Sequence, residues 1–114
     1  MTAGFERIGR AADVPYLEGR SATVQGRRVA VFHTRSGFVA LEGDCPHRGG
    51  PLADGLLADG CVTCPLHNWR FDLRSGEVVA GGAGRVAVYD LVERDGDLFL
   101  RLSGTLAESE QEAA

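Results

Sequence analysis

No stretch of this chain approaches the ~20 consecutive apolar residues that a membrane span requires, and its first residues show no basic leader running into an apolar block. Together these absences lead to the expectation of a soluble, cytoplasmic protein with no membrane partner. Cysteine is scarce as well: Cys45, Cys61 and Cys64 form an odd set that makes no disulfide framework. A reducing compartment fits that usage. Also missing is any basic run flanked by stacking aromatics, so nucleic-acid binding has no support. The net charge of −4 would suit docking on a basic partner surface, although mild acidity also serves any soluble domain. At 114 residues, 44% hydrophobic and 25% charged, one globular domain is expected, with no room for a second core.

Two short segments stand out from this ordinary background. Cys45-Pro46-His47-Arg48-Gly49-Gly50-Pro51-Leu52 and Cys64-Pro65-Leu66-His67-Asn68-Trp69-Arg70-Phe71 carry a Cys-x-His and a Cys-x-x-His pair, with sixteen residues between the pairs. Two thiolates and two imidazoles suit tetrahedral zinc, or an iron-sulfur centre in which two His replace two Cys on one iron. Ligand order bears on the choice. A zinc finger usually groups its cysteines on one knuckle and its histidines on a helix, whereas here each loop brings one of each. Two matched loops can each give a Cys to an inner iron and a His to an outer one, clamping a two-iron cluster from both sides. Zinc gains nothing from that arrangement, and a zinc-stabilised interaction module is the weakest of the readings. The candidate ligands are therefore Cys45, His47, Cys64 and His67, with no catalytic residue.

The remaining residues read as a series of short strands. Phe5–Gly9 alternates as a first strand, and residues 11–19 read as a loop with one helical turn around Pro15. Gly26 separates Ser21–Gln25 from Arg27–Thr34 as a hairpin, with Val29, Val31 and His33 on one face and Ala30 and Phe32 on the other. His33 lacks a Cys at loop spacing and is expected to be an ordinary half-buried residue. Phe38–Leu41 feeds the first ligand loop and gives it a rigid base. Gly49 and Gly50 supply the tight bend around a metal group, while Pro51-Leu52 and Leu56-Leu57 are expected to pack as an apolar lid. Cys61-Val62-Thr63 reads as a strand delivering Cys64, which puts Cys61 roughly 10 Å away along extended chain, as a packing residue. Trp69–Leu73 continues as a strand and Arg74–Glu77 turns into Val78–Ala80. Gly81–Gly84 is expected to be flexible and has no phosphate-loop context. Val86–Glu93 and Leu98–Leu102 flank an Asp95-Gly96 hairpin turn. From Ser103 the tail, with Glu108, Glu110 and Glu112, is expected to be acidic and mobile.

With Gly49-Gly50 and Pro65 in the loops, the paired motif resembles the Rieske [2Fe-2S] family. That resemblance implies an all-β fold of stacked antiparallel sheets with two cluster-binding loops at one tip, spanning residues 1–102 ahead of the tail at 103–114. It also implies a Rieske-type [2Fe-2S] cofactor and one-electron transfer. High-potential members carry an extra Cys in each loop, joined as a disulfide, and Ser and Tyr hydroxyls near the cluster. Here Gly50 and Leu66 take the disulfide positions, and Trp69 and Phe71 take those of the hydroxyls. A low-potential, ferredoxin-like centre is predicted, roughly −150 mV or somewhat above. The loop phrases look like the small subunit of NAD(P)H nitrite reductase, an oxidoreductase component whose large partner subunit would carry flavin and siroheme. The runner-up is the Rieske ferredoxin of an aromatic-ring dioxygenase system, partnered by a ferredoxin reductase and the dioxygenase.

Overall fold

The structure is a computed structural model that describes residues 4–45, 49–66 and 68–102. Among them run β1 (Glu6–Arg10), β2 (Gly19–Val24), β3 (Arg27–Thr34), β4 (Gly37–Glu42), β5 (Leu56–Ala58), β6 (Cys61–Thr63), β7 (Arg70–Asp72), β8 (Val78–Ala80), β9 (Val88–Arg94) and β10 (Asp97–Arg101). Single 3-10 turns cover Ala11–Asp13 and Leu52–Asp54.

Turn chemistry decides where the chain reverses. Gln25-Gly26, Asp59-Gly60 and Asp95-Gly96 each place two successive residues in the left-handed region, at φ of 52° and 79°, 53° and 75°, and 54° and 84°. A two-residue hairpin of the primed type needs that pair of conformations, because its twist matches the strands it joins. The three turns accordingly close β2 on β3, β5 on β6 and β9 on β10. The strands assemble into two antiparallel sheets, one ordered β1-β10-β9-β4-β3-β2 and the other β5-β6-β7-β8.

The strand β3 explains how the two sheets fit. Its central run Val29-Ala30-Val31-Phe32 has no polar position, and all four residues are buried. A strand apolar on both faces has to be covered on both. Val29 and Val31 pack with Val24, Ala40, Tyr89, Leu98 and Leu100 on one side of the large sheet. On the other side Ala30 and Phe32 join Leu41, Leu52, Val62, Phe71, Cys45 and Cys64, so the small sheet closes over that face. Among the described residues the apolar side chains thus form two clusters, back to back across β3 and β4.

Other departures are local. Leu56–Ala58 forms β5 rather than a lid, and Leu56 lies 72% exposed on its outer face while Leu57 packs inward. The strand expected from Val86 begins at Val88. Ala87 instead exchanges bonds with Glu42: its N–H donates to the Glu42 carboxylate at 2.6 Å, and its carbonyl accepts from the Glu42 N–H at 3.0 Å. No helix among the described residues is long and apolar enough to cross a membrane. The acidic segment 103–114 lies outside the described residues.

Candidate metal centre

Each ligand loop continues a strand of one sheet: Cys45 follows β4 and Cys64 follows β6. Both side chains are buried, at 1% and 0% exposure, in the apolar cluster between the sheets. Among the described residues no charged or polar side chain is buried, so the wall around these sulfurs is apolar.

The two loops repeat one pair of backbone bonds. In the first, the Cys45 N–H donates to the Gly50 carbonyl at 2.8 Å and the Gly49 N–H donates to the Cys45 carbonyl at 2.7 Å. In the second, the Cys64 N–H donates to the Trp69 carbonyl at 2.7 Å and the Asn68 N–H donates to the Cys64 carbonyl at 3.1 Å. The closing residue four positions after each Cys is left-handed, Gly49 at φ 72° and Asn68 at φ 61°. Gly and Asn are the residues that tolerate that conformation best. The first loop is tied further by the bridge between Asp44 and Pro51 and by the Leu52 N–H, which donates to the Gly43 carbonyl at 2.9 Å.

Gly50 is where the loops meet. A Cβ built there would stand 2.7 Å from Cys64 Sγ and 3.1 Å from Leu66 Cγ. Space beside the buried sulfur exists only because residue 50 has no side chain. Positions 50 and 66, which the resemblance matches to the disulfide of high-potential members, are neighbours here, since a Cβ on residue 50 would reach Leu66 Cγ. Paired soft thiols, buried in an apolar wall with a glycine cradle against one of them, fit an iron-sulfur group. His47 and His67, with Pro46 and Arg48, lie outside the described residues.

Residues given structural roles by the sequence keep them. His33 is half-buried, its Nδ1 3.1 Å from the Val14 carbonyl and its ring stacked on Phe38 at 4.2 Å. Cys61 pairs across the sheet with Ala58 and Asp72, on the strand face opposite buried Val62, and it forms no disulfide with Cys64. Phe71 is fully buried, its ring 6.5 Å from that of half-buried Trp69. At the far end of β7 the Asp72 carboxylate accepts from the Arg74 and Ser75 N–H groups at 2.7 and 3.1 Å. Those two bonds hold its pKa below the usual carboxylate value. Sequence reasoning missed Gly81 and Gly82: instead of a flexible link, they form the surface on which Trp69 packs.

An all-β domain in which two cysteine loops with matching backbone bonds bring buried thiols into one apolar cluster fits the class of iron-sulfur electron-transfer domains. The family model for the Rieske [2Fe-2S] domain matches residues 5–90, and the chain belongs to that family, with a Rieske-type [2Fe-2S] cluster as its cofactor. It is 34% identical over 90 residues to the methanesulfonate monooxygenase ferredoxin subunit of Methylosulfonomonas methylovora, covering 78% of this chain and 73% of that one. To cholesterol 7-desaturase nvd 1 of Ciona intestinalis it is 44% identical over 71 residues, 60% of this chain but only 15% of that larger protein. The fold is shared with the ferredoxin of carbazole 1,9a-dioxygenase from Nocardioides aromaticivorans (TM-score 0.79, 24% identity, 85% of this chain and 96% of that one). A protein assigned as the NADH-dependent nitrite reductase small subunit of Mycobacterium tuberculosis shares it too (TM-score 0.76, 20% identity, 84% and 92%).

Proposed function

We propose that Cys45 and Cys64 hold the inner iron of the cluster and His47 and His67 the outer one, and that the chain is the electron-carrying small subunit of an NAD(P)H-dependent nitrite reductase. The observation carrying the ligand assignment is the duplicated loop, which presents two buried cysteines at equivalent positions with the histidines two and three residues further on. The bound cluster supplies reversible one-electron chemistry. The chain's own contribution is to keep water from the sulfurs with Phe71, Leu52 and Val62, and to fix both loops by their paired backbone bonds.

The finer assignment rests on the loop phrases Cys45–Leu52 and Cys64–Trp69. A large subunit bearing flavin and siroheme would then reduce nitrite to ammonia, and a cytoplasmic location goes with that role. A second reading is favoured by the curated relatives, several of which are ferredoxin subunits of oxygenase systems. In that case the partners are a ferredoxin reductase and a ring-hydroxylating dioxygenase. Reconstitution separates the two. NADH-driven nitrite consumption that depends on this chain supports the first, whereas turnover only with an oxygenase overturns it.

A further inference from the structure

The Gly81-Gly82 step, just after β8, is the surface against which the chain's single tryptophan rests. A Cβ on Gly82 would stand 2.3 Å from both Cε2 and Cζ2 of Trp69 and 2.6 Å from Cη2. At Gly81, which is left-handed at φ 90°, it would stand 3.1 Å from Trp69 Cα and 3.2 Å from the Asn68 carbonyl. No side chain fits at residue 82 while the indole keeps its place. Trp69 in turn ties the second loop just beyond its closing residue Asn68, since its carbonyl accepts the Cys64 N–H at 2.7 Å. The equivalent residue of the first loop is Gly50, which has no side chain to anchor, and that loop is tied instead by the Asp44–Pro51 bridge. The indole on its glycine platform does for the second loop what the bridge does for the first.

We propose that Gly82 is a positioning residue for the cluster: by admitting the Trp69 indole, it holds the carbonyl that fixes the Cys64 backbone. The inference rests on Cys64 being a cluster ligand. Residue 82 is not left-handed, so an alanine there carries no backbone penalty and acts through the indole alone; Gly81 would confound the two effects.

The test compares holoprotein carrying Gly82→Ala, Trp69→Phe or both, by two readouts. Tryptophan fluorescence reports the indole directly, and chelator-driven bleaching of the visible chromophore reports cluster retention. Gly82→Ala is expected to red-shift the emission, increase acrylamide quenching and speed bleaching about tenfold or more, the usual scale for loss of an outer-shell support. The smaller ring of Trp69→Phe relieves the clash, so the double variant should bleach more slowly than Gly82→Ala alone. Unchanged emission or bleaching in Gly82→Ala overturns the proposal, as does a double variant that bleaches as fast as Gly82→Ala. Should Gly82→Ala fail to fold, recovery of folded, cluster-bearing protein in the double variant supports the proposal and continued failure overturns it. Wild-type protein without iron would refute the cluster reading instead, and the fluorescence comparison would still decide whether Gly82 seats the indole.

Discussion

Replacing Gly50 by alanine adds one methyl group at the point where the loops touch. Residue 50 is not left-handed, so the change brings no backbone strain, only the new contact 2.7 Å from Cys64 Sγ and 3.1 Å from Leu66 Cγ. Leu66 is 56% exposed and can swing away, but Cys64 is fully buried and cannot. The sulfur, or the backbone of residue 50, must retreat by about 0.7 Å to restore an ordinary contact. Overpacking of this kind costs about 1–3 kcal/mol. Disturbing a group that supports a metal ligand typically lowers metal affinity about 10–100-fold, which is about 1.4–2.8 kcal/mol. Iron content and the rate of iron transfer to a chelator measure the effect, and Gly50→Ala should release iron at least about tenfold faster than wild type. The neighbouring Gly49 provides the contrast. It is left-handed, with no atom of the described residues near its Cβ direction, and its counterpart in the second loop is Asn68. Gly49→Asn should therefore keep iron close to wild type. Equal iron retention in Gly50→Ala and wild type would refute the close approach of residue 50 to the sulfur.

The remaining predictions concern the rest of the site and the fold. Voltammetry should place the midpoint near −150 mV, and Phe71→Tyr, which returns a hydroxyl to the position that lacks it, should raise it; a wild-type value near +300 mV would contradict the missing-hydroxyl account. Cys64→Ala should abolish iron binding while Cys61→Ala, on the outer face of β6, leaves iron and spectrum unchanged, as metal analysis of the two purified variants will show. Asp72→Ala removes two bonds to the Arg74 and Ser75 N–H groups and should cost up to about 1 kcal/mol at neutral pH by urea unfolding. Its folded pKa lies below the ordinary value of 3.8. The gap between wild type and variant should accordingly persist above that value and close as the pH falls through the lowered folded pKa.

Much of this architecture can be read in the residues because its signals are local. The Gln25-Gly26 and Asp95-Gly96 turns announce their hairpins, and Cys61-Val62-Thr63 announces the strand that delivers Cys64. Asp59-Gly60 carries the same turn signal, but the Leu56-Leu57-Ala58 run before it is short and apolar, and such a run does not distinguish a strand from a packed loop. The two-sided core was hidden for a related reason: Val29–Phe32 is apolar throughout, and an alternation with no polar member does not say that both faces are covered. The site is more legible than its supports. Cysteine and histidine spacing points to the proposed ligands within a few residues, whereas the fit of Trp69 on Gly82 joins positions thirteen residues apart through tertiary packing. The match of the two loops in hydrogen bonding appears in the sequence only as the shared Cys-Pro start and the Gly49 and Asn68 closers.

Mössbauer spectroscopy of anaerobically purified, iron-57-labelled protein, with iron and sulfide assay, addresses the cluster and its ligands together. The expected result is two irons and two sulfides per chain, with two inequivalent ferric sites, one in an all-sulfur environment and one bearing nitrogen ligands. Replacing His67 should perturb the second site, and replacing Cys64 should remove both. Zinc in place of iron, or two equivalent iron sites, would contradict the ligand assignment on which the proposed function depends.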